Sequence, residues 1–161
     1  MDKLEQAASL TCEMENFHIL VDNATTVDML LSSPMPKEES LGYSVFVMVD
    51  CGYHRDGVDP ESEEAVDIVR KIEESSKLKL AGIYTHGGHS YDVQGAAEIK
   101  SVAEQERDSV VNFARKLTES GINMESKSVG VGSTPTCSVT CDDLTGCNEM
   151  HPGNYAYYDV M

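Results

Sequence analysis

The chain is predicted to be an α/β protein built on a parallel sheet, and three features predict this. Short apolar runs alternate with longer stretches of helical periodicity, the pattern of strands joined by crossover helices. The run Ser44–Asp50 (Ser-Val-Phe-Val-Met-Val-Asp) is nearly all apolar, as a strand covered on both faces of a parallel sheet must be. Each apolar run then breaks abruptly into polar residues and glycines, so that side chains able to do chemistry fall just past the carboxyl ends of strands, where α/β folds place their sites.

Asp2–Met14 reads as a helix, and Phe17–Asp22 as a first strand ending on Asp22-Asn23. Thr25 and Thr26 are placed to cap the short helix that follows, and Ser32–Ser40, with its two prolines, is the one linker-like stretch and reads as a surface loop. Ser44–Asp50 is the second strand and runs into Cys51-Gly52-Tyr53-His54-Arg55-Asp56-Gly57. Asp59 as N-cap and Pro60 at the first helical position start a helix to about Ser75, with Ala65, Ile68, Val69 and Ile72 at helical spacing. Lys79–Thr85 is the third strand, and it breaks into His86-Gly87-Gly88-His89-Ser90-Tyr91.

Gln94–Ser120 reads as a long helix with Ile99, Val102, Glu106, Val110, Phe113, Ala114 and Leu117 nearly on one face. Glu106 is the exception on that face, and Gly121 stands where a terminating glycine belongs. Glu125–Val131 is a fourth strand opening into Gly132-Ser133-Thr134-Pro135-Thr136. Cys147–Met150 is a fifth, opening into His151-Pro152-Gly153-Asn154-Tyr155.

A length of 161 residues suits one domain, residues 1–161. No window reaches the apolar length of a membrane span, and the amino terminus lacks the basic-then-apolar order of a secretory signal; a soluble cytoplasmic chain is expected. The formal net charge of −16 disfavours nucleic acid and anionic membrane as partners, because both are polyanions. Cys12, Cys51, Cys137, Cys141 and Cys147 are an odd set without paired CxxC spacing, which predicts reduced thiols rather than a disulfide framework or zinc knuckle. Cys137, Cys141 and Cys147 as a metal set is the alternative.

The two late loops are the most informative. Gly-Ser-Thr-Pro-Thr and Pro-Gly-Asn supply backbone amides free of bulky side chains, and the first adds hydroxyls; together they suit a phosphate without a cation. Consecutive late loops forming a phosphate cup is an arrangement that recurs in (β/α)8 barrels. Two plain turns are the other reading.

Four motifs carry a resemblance: Asp50-Cys-Gly-Tyr-His-Arg55-Asp-Gly-Val58, Gly82-Ile-Tyr-Thr-His86, Gly132-Ser-Thr-Pro-Thr136 and Glu149-Met-His-Pro-Gly-Asn-Tyr155. In that order they resemble the eukaryotic D-serine dehydratase and D-threonine aldolase family, pyridoxal-phosphate (PLP) enzymes of the alanine-racemase-like barrel type. The Pro-Gly-Asn-Tyr form looks closer to the dehydratase. The resemblance implies a partial (β/α)8 TIM-type barrel of about five βα units, with the first strands and the carboxy-terminal β domain lying outside this chain. An open sheet of that kind is expected to be marginally stable or prone to association, and a homodimer is expected of the full-length form.

Carried over by the same resemblance, Ser133 and Thr134 with Gly153 and Asn154 form the phosphate cup. Arg55 approaches the phenolic oxygen of PLP, where a guanidinium stabilises negative charge; a salt bridge to Asp50 or Asp56 is its alternative. His86 lies near the cofactor ring, and Tyr91 hydrogen-bonds cofactor or substrate. His151 stands where alanine racemases carry an arginine that contacts the pyridine nitrogen, a departure that alters the ring as an electron sink. His18 is expected to be a satisfied core or strand-edge histidine, and His54 the same with less force.

The family's reaction removes the α-proton of a D-amino acid with a Schiff-base lysine and then expels the β-hydroxyl with zinc assistance; D-serine gives pyruvate and ammonia. None of the lysines here stands at a strand's carboxyl end, and Lys79 and Lys127 sit at strand starts. The zinc ligands lie in the family's carboxy-terminal domain, so no metal ligand is assigned. A fragment of a PLP-dependent D-amino acid lyase is therefore expected, with an aldolase-type lyase or a non-catalytic remnant acting as a binding module as alternatives. A metal-dependent barrel hydrolase built from Asp50, His54, His86 and His89 is a further class, without HxH or HExxH spacing to support it.

Overall fold

The computed structural model describes residues 3–34, 42–139 and 143–153. Its elements in order are α1 (Leu4–Glu13), β1 (His18–Val21), α2 (Ala24–Ser32), β2 (Tyr43–Val49), α3 (Glu63–Glu73), β3 (Leu78–Thr85), a 3₁₀ turn (Gly88–Tyr91), α4 (Ala96–Glu119), β4 (Ser128–Val131), α5 (Thr134–Ser138) and β5 (Glu149–Met150). The five strands form one sheet in the order β1-β2-β3-β4-β5, and every pairing is parallel. Strands that neighbour each other in sequence also neighbour in space, which short right-handed crossovers produce.

One face of the sheet carries Val21, Val45, Val47, Val49, Leu80, Ile83, Val129 and Val131, packed with Ile68, Val69 and Ile72 of α3 and Val110, Phe113 and Leu117 of α4. The stripes on both helices therefore do what their spacing predicts. Phe46, Met48 and Tyr84 form a separate cluster with Ala81. The register between β2 and β3 shifts after Val45, which pairs Leu80 while Phe46 pairs Gly82, so Ala81 is an inserted residue. Gly82 is required there: a Cβ would stand 2.3 Å from the Ser128 carbonyl oxygen and 2.8 Å from the Phe46 ring.

Several boundaries differ from the sequence expectation. Asn23 caps α2, accepting from the Thr26 amide at 2.8 Å, so Thr25 and Thr26 lie inside the helix rather than capping it. Ser62, not Asp59, caps α3, accepting from the Ala65 amide at 3.1 Å. Asp59 instead closes a turn, its carboxylate accepting from the Glu61 amide and its carbonyl from the Ser62 amide. An aspartate before a proline suits both roles, and here it closes the turn that leads from Val58, bridged to Val49, into α3. The fourth and fifth strands are shorter than expected because turns closed by Lys127 N–H to Met124 O and Cys147 N–H to Leu144 O occupy their first residues. Gly132–Thr136, expected as a loop, is in part the short helix α5.

α4 ends as its glycine predicts. Gly121 has φ +86°, and its amide bonds the Thr118 carbonyl while the Ile122 amide bonds that of Leu117, which uses two carbonyls the helix leaves open. No helix of the described residues is long and apolar enough to cross a membrane. Phe113 is 1% exposed at the centre of the contact between α4 and the sheet, so Phe113→Ala should cost about 3–5 kcal/mol of stability, measurable as a lowered urea midpoint at unchanged m.

Candidate functional site

β2, β3, β4 and β5 all deliver their following loops to one end of the sheet. Past β2, the Asp50 carboxylate organises its own loop, with Oδ1 accepting from the amides of Gly52 at 2.9 Å and His54 at 3.0 Å and Oδ2 lying 2.6 Å from His54 Nδ1. Burial opposes its charge, yet these amides and the His54 ring hold Asp50 below the usual carboxylate range. His54 adopts φ +56° and its side chain is 81% exposed, so it is a loop residue and not the core or strand-edge histidine expected. Gly57 lets the loop fold back on β2: a Cβ there would meet the Asp50 amide nitrogen at 2.4 Å.

Arg55 is half-exposed. Its Nε lies 3.1 Å from Asp56 Oδ2, and its Cζ sits 5.0 Å from the centroid of the Tyr53 ring. Of the two readings the sequence left open, the ion pair to Asp56 is the contact present here. Tyr53 also stacks with His89, centroids 5.7 Å apart, while His89 Nε2 approaches Gln105 Oε1 at 3.4 Å.

Past β3, His86 Nδ1 lies 3.1 Å from the Gly132 carbonyl oxygen, to which the Tyr84 hydroxyl also donates at 2.8 Å. A carbonyl only accepts, so His86 carries its proton on Nδ1 and keeps Nε2 as its basic nitrogen. Gly87 and Gly88 have no room for side chains: a Cβ on Gly87 would meet the Glu106 carboxyl at 2.7 Å, and one on Gly88 the Tyr53 ring at 2.2 Å. Tyr91 closes the 3₁₀ turn and is half-buried.

The loops after β3 and β4 are joined by a buried polar chain. The hydroxyls of Ser90 and Ser133 lie 2.7 Å apart, and those of Ser133 and Thr136 lie 2.9 Å apart. The Ser133 amide donates to Thr136 Oγ1 at 3.0 Å. Glu106 of α4 ends the chain, accepting from the Gly87 amide and lying within reach of the Thr136 hydroxyl, which also bonds the Ser133 carbonyl at 3.2 Å. Glu106, Ser90 and Ser133 are each 1% exposed. Burial pushes Glu106 up to about 7, against the smaller opposing effect of the Thr136 and Gly87 hydrogen bonds.

Past β4, Gly132 has φ +141°, and a Cβ there would lie 2.7 Å from Cys137 Sγ and 3.1 Å from the His151 amide nitrogen. Thr134 Oγ1 stands 3.9 Å from where a Cβ on Gly153 would be, so the loops after β4 and β5 converge. His151 lies against Tyr84 with centroids 4.3 Å apart, and its Nε2 is 2.7 Å from Glu149 Oε1 but too far off line for a hydrogen bond.

The structure thus gathers His86, Ser133, Thr134, His151 and Gly153 at the ends of β3–β5, and places Arg55 on the neighbouring β2 loop. Asn154 and Cys141 lie outside the described residues. Ser90, Tyr84 and Thr136 were not singled out by the sequence, and Glu106 was noticed only as a charge on an apolar stripe, which was the available signal. His18 behaves as a strand-edge histidine, its Nδ1 2.8 Å from Ser44 Oγ and its ring edge-on to Phe46.

Among the described residues no three His, Cys, Asp or Glu side chains are grouped to hold a metal, and His54, His86 and His89 each face a different partner. Burial pushes the Cys51 and Cys137 thiols up to about 11, so both stay protonated and neither is poised as a nucleophile. A cavity of about 1360 Å³ opens at the opposite end of the sheet, lined by His18, Ser44, Phe46, Lys79 and Lys127; it is wide, but the convergent glycines and hydroxyls are not there.

The raised Glu106 carboxyl has a measurable consequence. The folded chain holds a proton there up to about pH 7, whereas the unfolded chain releases it near the ordinary carboxylate value, so this group's contribution to stability falls as pH rises from about 4.5 to 7. Glu106→Gln should remove that fall, on the order of 3 kcal/mol, when unfolding free energies of the two proteins are compared across the interval.

Residues 4–160 match the model of the alanine racemase N-terminal domain. The chain is 34% identical over 168 residues to D-serine dehydratase of Dictyostelium discoideum, covering 99% of this chain and 42% of that protein. It superposes on D-threo-3-hydroxyaspartate dehydratase from Delftia sp. HT23 with a TM-score of 0.79 at 26% identity, over 92% of this chain and 38% of that one. D-threonine aldolase from Filomicrobium marinum shares the fold, with a TM-score of 0.76 at 24% identity over 98% of this chain and 41% of that chain. This chain therefore spans about two fifths of the length of these relatives. A five-stranded parallel sheet with these neighbours is part of an alanine-racemase-like barrel, and the chain belongs to the alanine racemase N-terminal domain family.

Proposed function

We propose that this chain is the phosphate-binding portion of the barrel of a PLP-dependent D-amino acid lyase of the D-serine dehydratase type. The observation that carries the reading is the convergence of Thr134 and Gly153 beside the Gly132 cradle. Small residues and amides there leave space and donors for a phosphate monoester. The D-serine dehydratase relatives support the choice of reaction.

PLP fits the site at its phosphate end. Thr134 and Gly153, with Asn154 beyond the described residues, would hold the phosphate, while the buried Ser133 shapes the loop from behind. Tyr84 and His151 present rings tilted at 31° to each other next to the loops, and the His86 ring lies beside them, its Nδ1 turned to the Gly132 carbonyl. When bound, PLP supplies an electron sink for charge developing at a substrate α-carbon. Arg55, on the β2 loop, would approach the cofactor's phenolic oxygen by leaving Asp56, an exposed pair whose loss costs little.

The amine that would bond PLP covalently is not among the described lysines placed at the site. Lys79 stands near the start of β3, Lys127 precedes β4 and bonds the Leu80 carbonyl, and Lys77 bonds the Leu31 and Ser33 carbonyls. The chain as given is thus a holder of the phosphate group, and the lysine-dependent steps belong to the whole protein.

PLP should bind the purified chain in competition with inorganic phosphate, and Thr134→Ala should weaken both by about tenfold, the worth of one hydrogen bond to a charged group. Failure of phosphate to compete would overturn the site. Arg55→Ala should weaken PLP while leaving inorganic phosphate unchanged; equal losses for both would remove Arg55 from the phenolic oxygen. D-Serine with PLP should yield no pyruvate, and PLP-dependent pyruvate release would show that the chain is catalytic by itself.

A further inference from the structure

Glu106 has no part in the proposed chemistry, yet it lies directly behind the loops that would hold the phosphate. It is the single acid on the buried stripe of α4, 1% exposed, and its carboxyl takes the Gly87 amide of one loop and the Thr136 hydroxyl of the other. From Thr136 the chain continues through Ser133 to Ser90. A carboxylate at this place opposes an anion seated on the other side of the loops, since two negative charges would share a poorly solvated region.

The hydroxyl chain adds a directional effect. With Glu106 ionised, the Thr136 hydroxyl can turn from the Ser133 carbonyl, 3.2 Å away, to donate to it, Ser133 can donate to Thr136 and Ser90 to Ser133, so that each hydroxyl hydrogen points along the chain toward Glu106. With Glu106 protonated, its own O–H can donate to Thr136, and the chain can run the other way, Thr136 to Ser133 and Ser133 to Ser90. The hydroxyl hydrogens then point away from Glu106, along Ser133 to Ser90 in the loop after β3, instead of toward it.

We infer that Glu106 is a positioning residue that couples anion binding at the β4 and β5 loops to uptake of a proton, so that the phosphate is held best when this buried carboxyl is neutral. The inference rests on the phosphate site proposed above. Its surroundings allow the coupling. Tyr84 on β3, Cys51 past β2 and Cys137 on α5 face the carboxyl and are themselves pushed up by burial, hence neutral. His86 is turned to the Gly132 carbonyl and His89 to Gln105. Glu106 is the carboxyl among these groups, and burial raises it to about 7.

Sulfate is the suitable probe, being a dianion of phosphate shape that does not itself titrate near pH 7. The affinity of the chain for sulfate, read from the rise in thermal midpoint over chloride at equal ionic strength, should fall about fivefold from pH 6 to pH 8, as a one-unit coupling between anion and proton requires. Glu106→Gln should bind sulfate with an affinity that is flat over that range. A carbon-13 titration of the Glu106 carboxyl in the unaltered chain tests the same point without any variant: sulfate at pH 7 should move the resonance toward its protonated position. Sulfate binding that is independent of pH, or a carboxyl resonance that sulfate leaves in place, overturns the inference while leaving the phosphate site intact. No sulfate-specific stabilisation at any pH overturns the phosphate site and the inference with it.

Discussion

Parallel pairing of β3 with β2 on one side and β4 on the other is the constraint from which the site follows. Parallel neighbours cannot be joined by a tight turn, so α3 and α4 are forced into the crossovers, and the apolar stripes of both helices close one face of the sheet. The same direction of all strands puts every carboxyl end at one edge. Residues separated in sequence by as much as Gly87 and Thr136 meet there because the strands leading to them are aligned, and Glu106 reaches both because α4 is the connection between those strands.

The proposed anion site contains few charges of its own. The chain carries a net charge of −16, yet at physiological ionic strength a distant charge is screened within about 8 Å, so what counts is the first layer of amides, hydroxyls and fixed dipoles. Glycine is used here where backbone must approach something closely: Gly87 against Glu106, Gly88 against Tyr53, Gly132 against Cys137. Among the described residues, the ionisable side chain bonded to the loops from beneath is an acid, Glu106, rather than a base. Its burial keeps it near the point of titration, whereas the exposed ion pairs of Arg55, Arg70 and Lys71 are worth little to stability.

Much of the site was legible from residue type alone. Gly132-Ser133-Thr134 and Gly153 carry their own backbone chemistry, and the break from an apolar run into His86-Gly87-Gly88 marks a strand end wherever that strand lies. Arg55 was legible as a residue and ambiguous in its partner, because an aspartate sits beside it in sequence and the phenolic oxygen would approach through space. His54 was misjudged because a neighbouring aspartate can draw a histidine out of the core and into an exposed loop. Ser90 and Thr136 stood within the polar stretches but had no role legible in them, since their hydroxyls matter by meeting Ser133 from two different loops.

By itself the sequence determined the alternation of strand and helix, the helical stripes, the end of α4 at Gly121 and the identity of the glycine loops, because these depend on local backbone preference and on the period of apolar residues. Tertiary structure decided which of two competent residues capped α2 and α3, where β4 and β5 began, and which groups Glu106 meets. Those outcomes depend on contacts between segments far apart in the chain, and no local pattern encodes which hydroxyl or amide a buried carboxyl will meet.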